Sequence, residues 1–189
     1  VLDGARSVFL ADGYEGASVD TIARAANVSK ATLYSYFPDK RMMFIEVVKR
    51  ECHRQADAAM DSFDLTAPPR EVLTQAAQHM VGFLLSGFGQ RVFRICVAES
   101  DRFPELGRAF YDSGPALVRD TLSQYFASAA ERGELDIPDM PLAAEQFAEL
   151  CKARLFPRMV FGVQTEFSDA EVVRVIEGAV DIFLARYAT

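Results

Sequence analysis

The chain of 189 residues contains no tryptophan, two histidines and three cysteines. Each scarcity removes a class of function. Cys52, Cys96 and Cys151 are odd in number, far apart and outside any Cys-x-x-Cys pair. Neither a disulfide framework nor a zinc site is implied, and a reducing cytoplasm is the compartment that fits. His53 and His79 form no His-Glu-x-x-His, and there is no Gly-x-Gly-x-x-Gly and no P-loop, so an enzyme is not expected and no cofactor is needed. Glu99, Asp101 and Asp112 could gather around a metal with His79, but such carboxylates are ordinarily solvated, and no metal is expected. No apolar run approaches the roughly 20 residues of a membrane-spanning helix, so no membrane partner is expected. A signal-peptide pattern is also missing; because the chain opens at Val1 rather than at methionine, a few upstream residues are expected.

What is present is a globular composition, half hydrophobic and a quarter charged. The net charge of -7 is unevenly spread: residues 1–50 carry seven Lys/Arg against six Asp/Glu, and residues 51–189 carry thirteen against twenty-one. An acidic body therefore carries a near-neutral, locally basic head, and only the head suits a polyanion. Apolar residues recur at three- and four-residue spacing with no sustained alternation, which predicts an all-α fold of about nine helices.

A first helix is expected over about Leu2 to Asp12, stopped by Gly13. Ser18 caps a second, Val19 to Ala26, followed by Asn27, a residue that tolerates the left-handed conformation. Ser29 caps a third that runs to Tyr36, before Phe37-Pro38, and Asp39 caps a fourth that reaches about Phe63. The one linker-like segment is Asp64 to Pro69. Further helices are expected from Arg70 to Ser86, from Gln90 to Ser100, and from Pro104 to Arg132 with a kink at Gly114-Pro115. The last two run from Leu142 to Phe161, with Pro157 inside, and from Ser168 to Tyr187, where Ser168 and Glu171 have capping-box spacing.

Two short helices joined by a tight turn, with Ile22, Ala23, Ala26, Val28 and Leu33 on their inner faces, have the pattern of a helix-turn-helix. Such a unit lays its second helix in the major groove while the first crosses the backbone. The stretch from Val28 to Lys40 is then a recognition helix and its exit: Ser29, Lys30, Thr32, Tyr34 and Ser35 need not face the core and offer donors to phosphate and base. The alternative is packing, since tyrosines on short helices are often half-buried and lysines are often plain surface. With Leu33 and Phe37 available to the core, Tyr34 and Tyr36 are surplus to it. Lys40 sits at a helix start, where a cation is unfavourable unless an anion such as phosphate lies nearby.

Gly13-Tyr14, Ser18-Val-Asp-Thr-Ile-Ala23, Ala25-Ala-Asn-Val-Ser-Lys30 and Ala31-Thr-Leu-Tyr-Ser-Tyr-Phe-Pro-Asp-Lys40, followed by Met43-Phe44, resemble the N-terminal domain of TetR-family transcriptional regulators over about residues 2–48. The resemblance implies an all-α homodimer with a DNA-binding head, residues 1–48, and a larger effector-binding and dimerisation body, residues 49–189. It implies a repressor that binds a palindromic operator and is released by a small molecule. Carried over by position, Lys30, Thr32, Tyr34 and Tyr36 match frequent base and phosphate contacts, and Lys40 a backbone contact. Ser18 and Thr21 on the first helix, with Ser29, Ala31 and Ser35 on the second, complete the expected DNA-binding set. Ala31, Asn27 and Ser35 stand where the family often has glycine, glycine and histidine. Asn27 is conformationally equivalent, whereas Ala31 and Ser35 lie on or near the reading face, so an operator sequence does not transfer.

The body segments Arg91 to Leu106, Phe110 to Pro115 and Ala130 to Leu135 are similar to the C-terminal domain of the AefR-like subgroup. A kinked-helix body suits a pocket. Phe83, Phe93, Cys96, Phe110, Tyr111 and Phe126 could line one, and so few charges would suit an apolar or aromatic effector; the same aromatics also suit a core. The last helix bears an apolar stripe wider than one core-facing side requires, including Val172, Ile176, Val180 and Phe183. With Phe147, Cys151, Leu155 and Met159 of the preceding helix it could form a four-helix dimer interface. The alternatives are a fully internal terminal helix, or a helical adaptor that no longer binds DNA.

Overall fold

The computed structural model describes residues 1–62 and 64–189. Among these described residues eleven helices follow in order: α1 Leu2–Gly16, α2 Val19–Ala25, α3 Lys30–Tyr36, α4 Lys40–Ser62, α5 Pro69–Leu85, α6 Gly87–Glu99, α7 Pro104–Ser113, α8 Pro115–Glu131, α9 Met140–Lys152, α10 Phe156–Val160 and α11 Asp169–Tyr187. Among the described residues the only β feature is a bridge between Leu135 and Ala188. No single described helix is long and apolar enough to cross a membrane.

The local stop and start signals act where the sequence puts them. Gly13 leaves the helix at φ 72°, so α1 proper ends there and Tyr14 to Gly16 form a following turn. Asn27 adopts φ 52° between α2 and α3. Ser168 and Glu171 form a reciprocal capping box at the start of α11.

Two expected long helices are each divided. The span from Pro104 to Arg132 is broken rather than kinked: Gly114 takes φ -116° and ψ -89°, outside helical values, and Pro115 opens α8. The span from Leu142 to Phe161 breaks before its proline. Arg154 adopts φ 68° after α9, and Pro157 sits in the first turn of α10, where its missing N–H costs nothing. These breaks raise the count above the nine expected. Helix α4 reaches Ser62, and Phe63, where its end was expected, lies outside the described residues.

The chain forms two compact units, 1–54 with 87–114, and 55–86 with 115–189. Helices α6 and α7 thus pack in the same unit as residues 1–54. In that unit Phe9, Tyr14 and Phe44 form an aromatic trio, with ring centroids 5.1 to 6.1 Å apart, that fastens α1 to α4. Gly4 of α1 meets the end of α2 so closely that a Cβ would lie 2.6 Å from the Ala26 nitrogen. Arg6 reaches the buried Glu51 at 3.2 Å and lies 5.3 Å from the centre of the Phe88 ring, joining α1, α4 and α6. Arg41 pairs with Glu105 of α7 at 2.9 Å over the ring of Phe103.

The second unit packs α5, α8, α9 and α11 around Leu73, Phe126, Phe147, Ile176, Val180 and Phe183. Its C-terminus is tied back by the Asp136 amide, which donates to the Tyr187 carbonyl at 2.8 Å.

Candidate nucleic-acid interface

The first unit presents α2 and α3 as a capped pair. The Ser18 hydroxyl accepts from the Thr21 amide at 3.1 Å, and the Ser29 hydroxyl accepts from the Thr32 amide at 3.0 Å, so each helix start is held by the same device. The turn closes through the Val28 amide, which donates to the Ala23 carbonyl at 3.0 Å. Ile22, Ala23 and Leu33 are buried and set the crossing. Helix α3 spans seven residues, and the diameter of an α-helix with its side chains, roughly 10–12 Å, suits a major groove about 12 Å wide.

The residues of α3 expected to meet DNA lie on its outward face. Ser29, Lys30, Ala31, Tyr34, Ser35 and Tyr36 are exposed, with Thr32 half-buried. Tyr34 and Tyr36 are 52% and 69% exposed, an unusual amount of aromatic surface for residues that could have packed inward. The hydroxyls are locally engaged: the Thr32 and Ser29 oxygens lie 2.8 Å apart, and the Ser35 hydroxyl donates to the Thr32 carbonyl at 2.7 Å. Ser18 and Thr21 on α2 make the same 2.8 Å contact.

The two lysines are placed differently. The Lys40 ammonium donates to the Tyr14 carbonyl at 2.7 Å and lies 4.5 Å from the centre of the Tyr14 ring. A carbonyl and a ring face thus supply the negative partner for which phosphate was the sequence expectation. Burial pushes the Tyr14 hydroxyl above its ordinary pKa, with Asp39 and Glu99 adding to the shift, so this ring stays neutral beneath the cation. Lys30 stays on the surface and meets Asp20 of α2 at 2.6 Å. That partner was not legible in the sequence, because it lies across the turn rather than at helical spacing.

The residues expected to line an effector pocket fall in both units. Phe93, Cys96, Phe110 and Tyr111 belong to the first, with Phe93 and Phe110 edge to face at 6.1 Å. Phe83 and Phe126 belong to the second, where Phe126 is fully buried and stacks on Phe183 at 5.0 Å. Phe126 is a core residue with no free face. Burial pushes the Cys96 and Cys151 thiols up to about 12 and the Cys52 thiol up to about 11, so none is an available thiolate near neutral pH. Among the described residues no group of three or more metal-ligating side chains is gathered.

Seven of the eight residues expected at a dimer interface are core within one protomer: Phe147, Cys151, Leu155, Met159, Ile176, Val180 and Phe183 are all buried, and Val172 is half-buried. All but Met159 of α10 point inward into the core that α5 and α8 cover. The width of the stripe has a second cause. On the outer side, α9 and α11 flank a groove of about 290 Å³ lined by Leu150, Ala153, Val175, Gly178 and Ile182, and Leu142 of α9 remains exposed beside it.

Comparison with known proteins agrees with this arrangement. The family of bacterial regulatory proteins of tetR type matches residues 1–47, and the C-terminal domain of AefR-like transcriptional repressors matches residues 71–189. The chain belongs to the TetR family. This TetR-family regulator is 22% identical to the transcriptional repressor AcnR of Corynebacterium glutamicum, over 95% of this chain and 90% of that protein. A TetR-family regulator from Mesorhizobium loti superposes with a TM-score of 0.91 at 28% identity, covering 100% of this chain and 95% of that one. The flavonoid-responsive regulator FrrA superposes with a TM-score of 0.76 at 31% identity, covering 99% and 94%. The chain is accordingly a DNA-binding transcriptional repressor with a helix-turn-helix.

Proposed function

We propose that this TetR-family chain works as a cytoplasmic homodimer that represses transcription by seating two copies of α3 in successive major grooves of a palindromic operator, and that it is not an enzyme. The observation that carries this reading is the outward face of α3, where Lys30, Tyr34 and Tyr36 are presented to solvent by a helix whose start and inner side are fully engaged. Lys30, Thr32, Tyr34 and Tyr36 would touch bases and phosphates, and Ser18, Thr21 and Ser29 would lie against the backbone. Lys30→Ala and Tyr36→Phe should each weaken binding to a selected operator, about tenfold or more for Lys30→Ala. Thermal stability should change by no more than about 0.5 kcal/mol, since both side chains are largely exposed and Tyr36→Phe keeps the ring. Loss of stability in step with loss of binding would make these residues structural instead. A wild-type protein without salt-dependent, sequence-preferring DNA binding would end the reading.

The partner we propose for the outer face of α9 and α11 is a second copy of the same face. It is apolar at its centre, and Glu149, Arg154 and Arg174 along its rim supply both charge signs, as a two-fold interface needs. Ile182, 58% exposed in the protomer, is its best anchor. Ile182→Asp should weaken the dimer by about 2 kcal/mol or more, seen as monomer in sedimentation, and should cut operator affinity because half-sites then bind singly. A dimer that persists at micromolar concentration would place the interface elsewhere. For the effector, we infer a small apolar or aromatic molecule, a reading supported by the phenylalanine-rich helices and by the flavonoid response in the name of FrrA. Linkage requires that an effector which releases DNA also binds the operator complex more weakly than the free dimer, by the same factor.

A further inference from the structure

The ion pair between Lys30 and Asp20 places a carboxylate on the DNA-reading surface, which electrostatics alone would keep free of acids. The Asp20 carboxylate lies 2.6 Å from the Lys30 ammonium, and the two side chains are 64% and 53% exposed. Lys30 is the first residue of α3, and Asp20 stands in the first turn of α2 beside the Ser18 cap. Resting on the repressor reading, we propose that Asp20 is a specificity-determining residue that suppresses binding to DNA of arbitrary sequence by neutralising Lys30.

Sequence-independent and operator binding draw on a lysine in different ways. Sequence-independent binding is coulombic attraction between cations and phosphates with release of counterions, so it scales with the number of uncompensated cations on the surface. A lysine closed on a carboxylate contributes almost none of that attraction, because the carboxylate's repulsion of phosphate cancels it. Operator binding draws on directed hydrogen bonds. An ammonium has three donors, so one given to Asp20 leaves two for base edge or phosphate once α3 is seated. The carboxylate also fixes where those donors start from, on a side chain that otherwise sweeps widely.

The test compares Asp20→Asn with wild type, as the full chain, on a short mixed-sequence duplex and on an operator selected from a random library, by fluorescence anisotropy across a potassium chloride series. Asparagine keeps size and removes charge. The expected result on the mixed-sequence duplex is a salt slope steeper by about 0.9 for each recognition helix, and so an affinity near 0.1 M salt roughly eightfold higher for each added contact. Operator affinity should rise less, so the ratio of the two falls. Unchanged affinity and slope on the mixed sequence would overturn the proposal. A larger fall on the operator than on the mixed sequence would also overturn it and make Asp20 a base contact, as a carboxylate can be to a cytosine amino group. If the gain persists in the Asp20→Asn, Lys30→Gln double variant, the effect is general repulsion and does not act through Lys30. A wild-type protein with no operator preference would instead sink the repressor reading and leave the mixed-sequence comparison standing.

Discussion

Gly4→Ala should remove DNA binding while leaving the second unit folded. A Cβ at this position would lie 2.6 Å from the Ala26 nitrogen, 2.7 Å from its Cα and 2.8 Å from the Ala25 carbonyl carbon. All three are backbone atoms at the end of α2, so no side chain can turn aside, and the clash is relieved only by moving α1 off the helix-turn-helix. The cost belongs at the upper end of overpacking, about 3 kcal/mol. Moving α2 displaces the turn at Asn27 and with it α3, so operator affinity should fall at least about a hundredfold, beyond what loss of a single contact accounts for. Titration of binding together with thermal unfolding checks this. Gly82→Ala is the control: a Cβ there meets nothing within 4 Å, and alanine in an open helix position should stabilise by about 0.5 to 1 kcal/mol. A Gly4→Ala protein that binds DNA normally would mean that the approach of α1 to α2 relaxes at little cost.

Phe183→Ala should produce the largest loss in the second unit. Phe183 is 2% exposed and touches three rings, Phe126 at 5.0 Å, Phe147 at 5.3 Å and Tyr187 at 4.9 Å. It therefore joins α8, α9 and α11, and truncation leaves a cavity that three separate helices would have to collapse into. A buried phenylalanine replaced by alanine costs about 3 to 5 kcal/mol, a large fraction of the stability of a typical domain. Urea unfolding followed by circular dichroism should show the midpoint fall by the corresponding amount. Phe183→Leu, which keeps most of the volume, should lose less than about 2 kcal/mol. Because the same helices carry the groove proposed for the second copy, dimer affinity should fall with Phe183→Ala although Phe183 itself faces inward. A loss under about 1 kcal/mol would contradict the central place given to this ring cluster.

Much of the reading head was legible in advance because its signals are local. Ser18 and Ser29 each cap the amide three residues on, and Asn27 supplies the positive φ that a tight turn needs. The exposed set on α3 followed by subtraction, once Leu33 and Phe37 were assigned inward. Lys40 shows the limit of that method. The sequence says that a cation at a helix start needs a negative partner, but it does not say that the carbonyl of Tyr14, 26 residues earlier, will provide it. The broken helices show a related limit. Pro157 reads as an interruption, yet the interruption comes at Arg154, where the backbone turns left-handed, and the proline only begins the next helix.

The sequence by itself determined that the fold is all-α and where α2, α3 and α11 begin, at the caps Ser18, Ser29 and Ser168, because capping, turn and period signals act through the backbone over three or four residues. Only the tertiary structure decided what those helices meet. It turned Phe147, Cys151, Ile176, Val180 and Phe183 into a protomer core and left Leu142, Val173 and Ile182 outside. It joined α6 and α7 to the head through Phe88 with Arg6 and Glu105 with Arg41. It also closed Lys30 on Asp20. Each of these depends on residues brought together from distant parts of the chain, and a periodic stripe gives the direction of an apolar face without naming the surface that covers it.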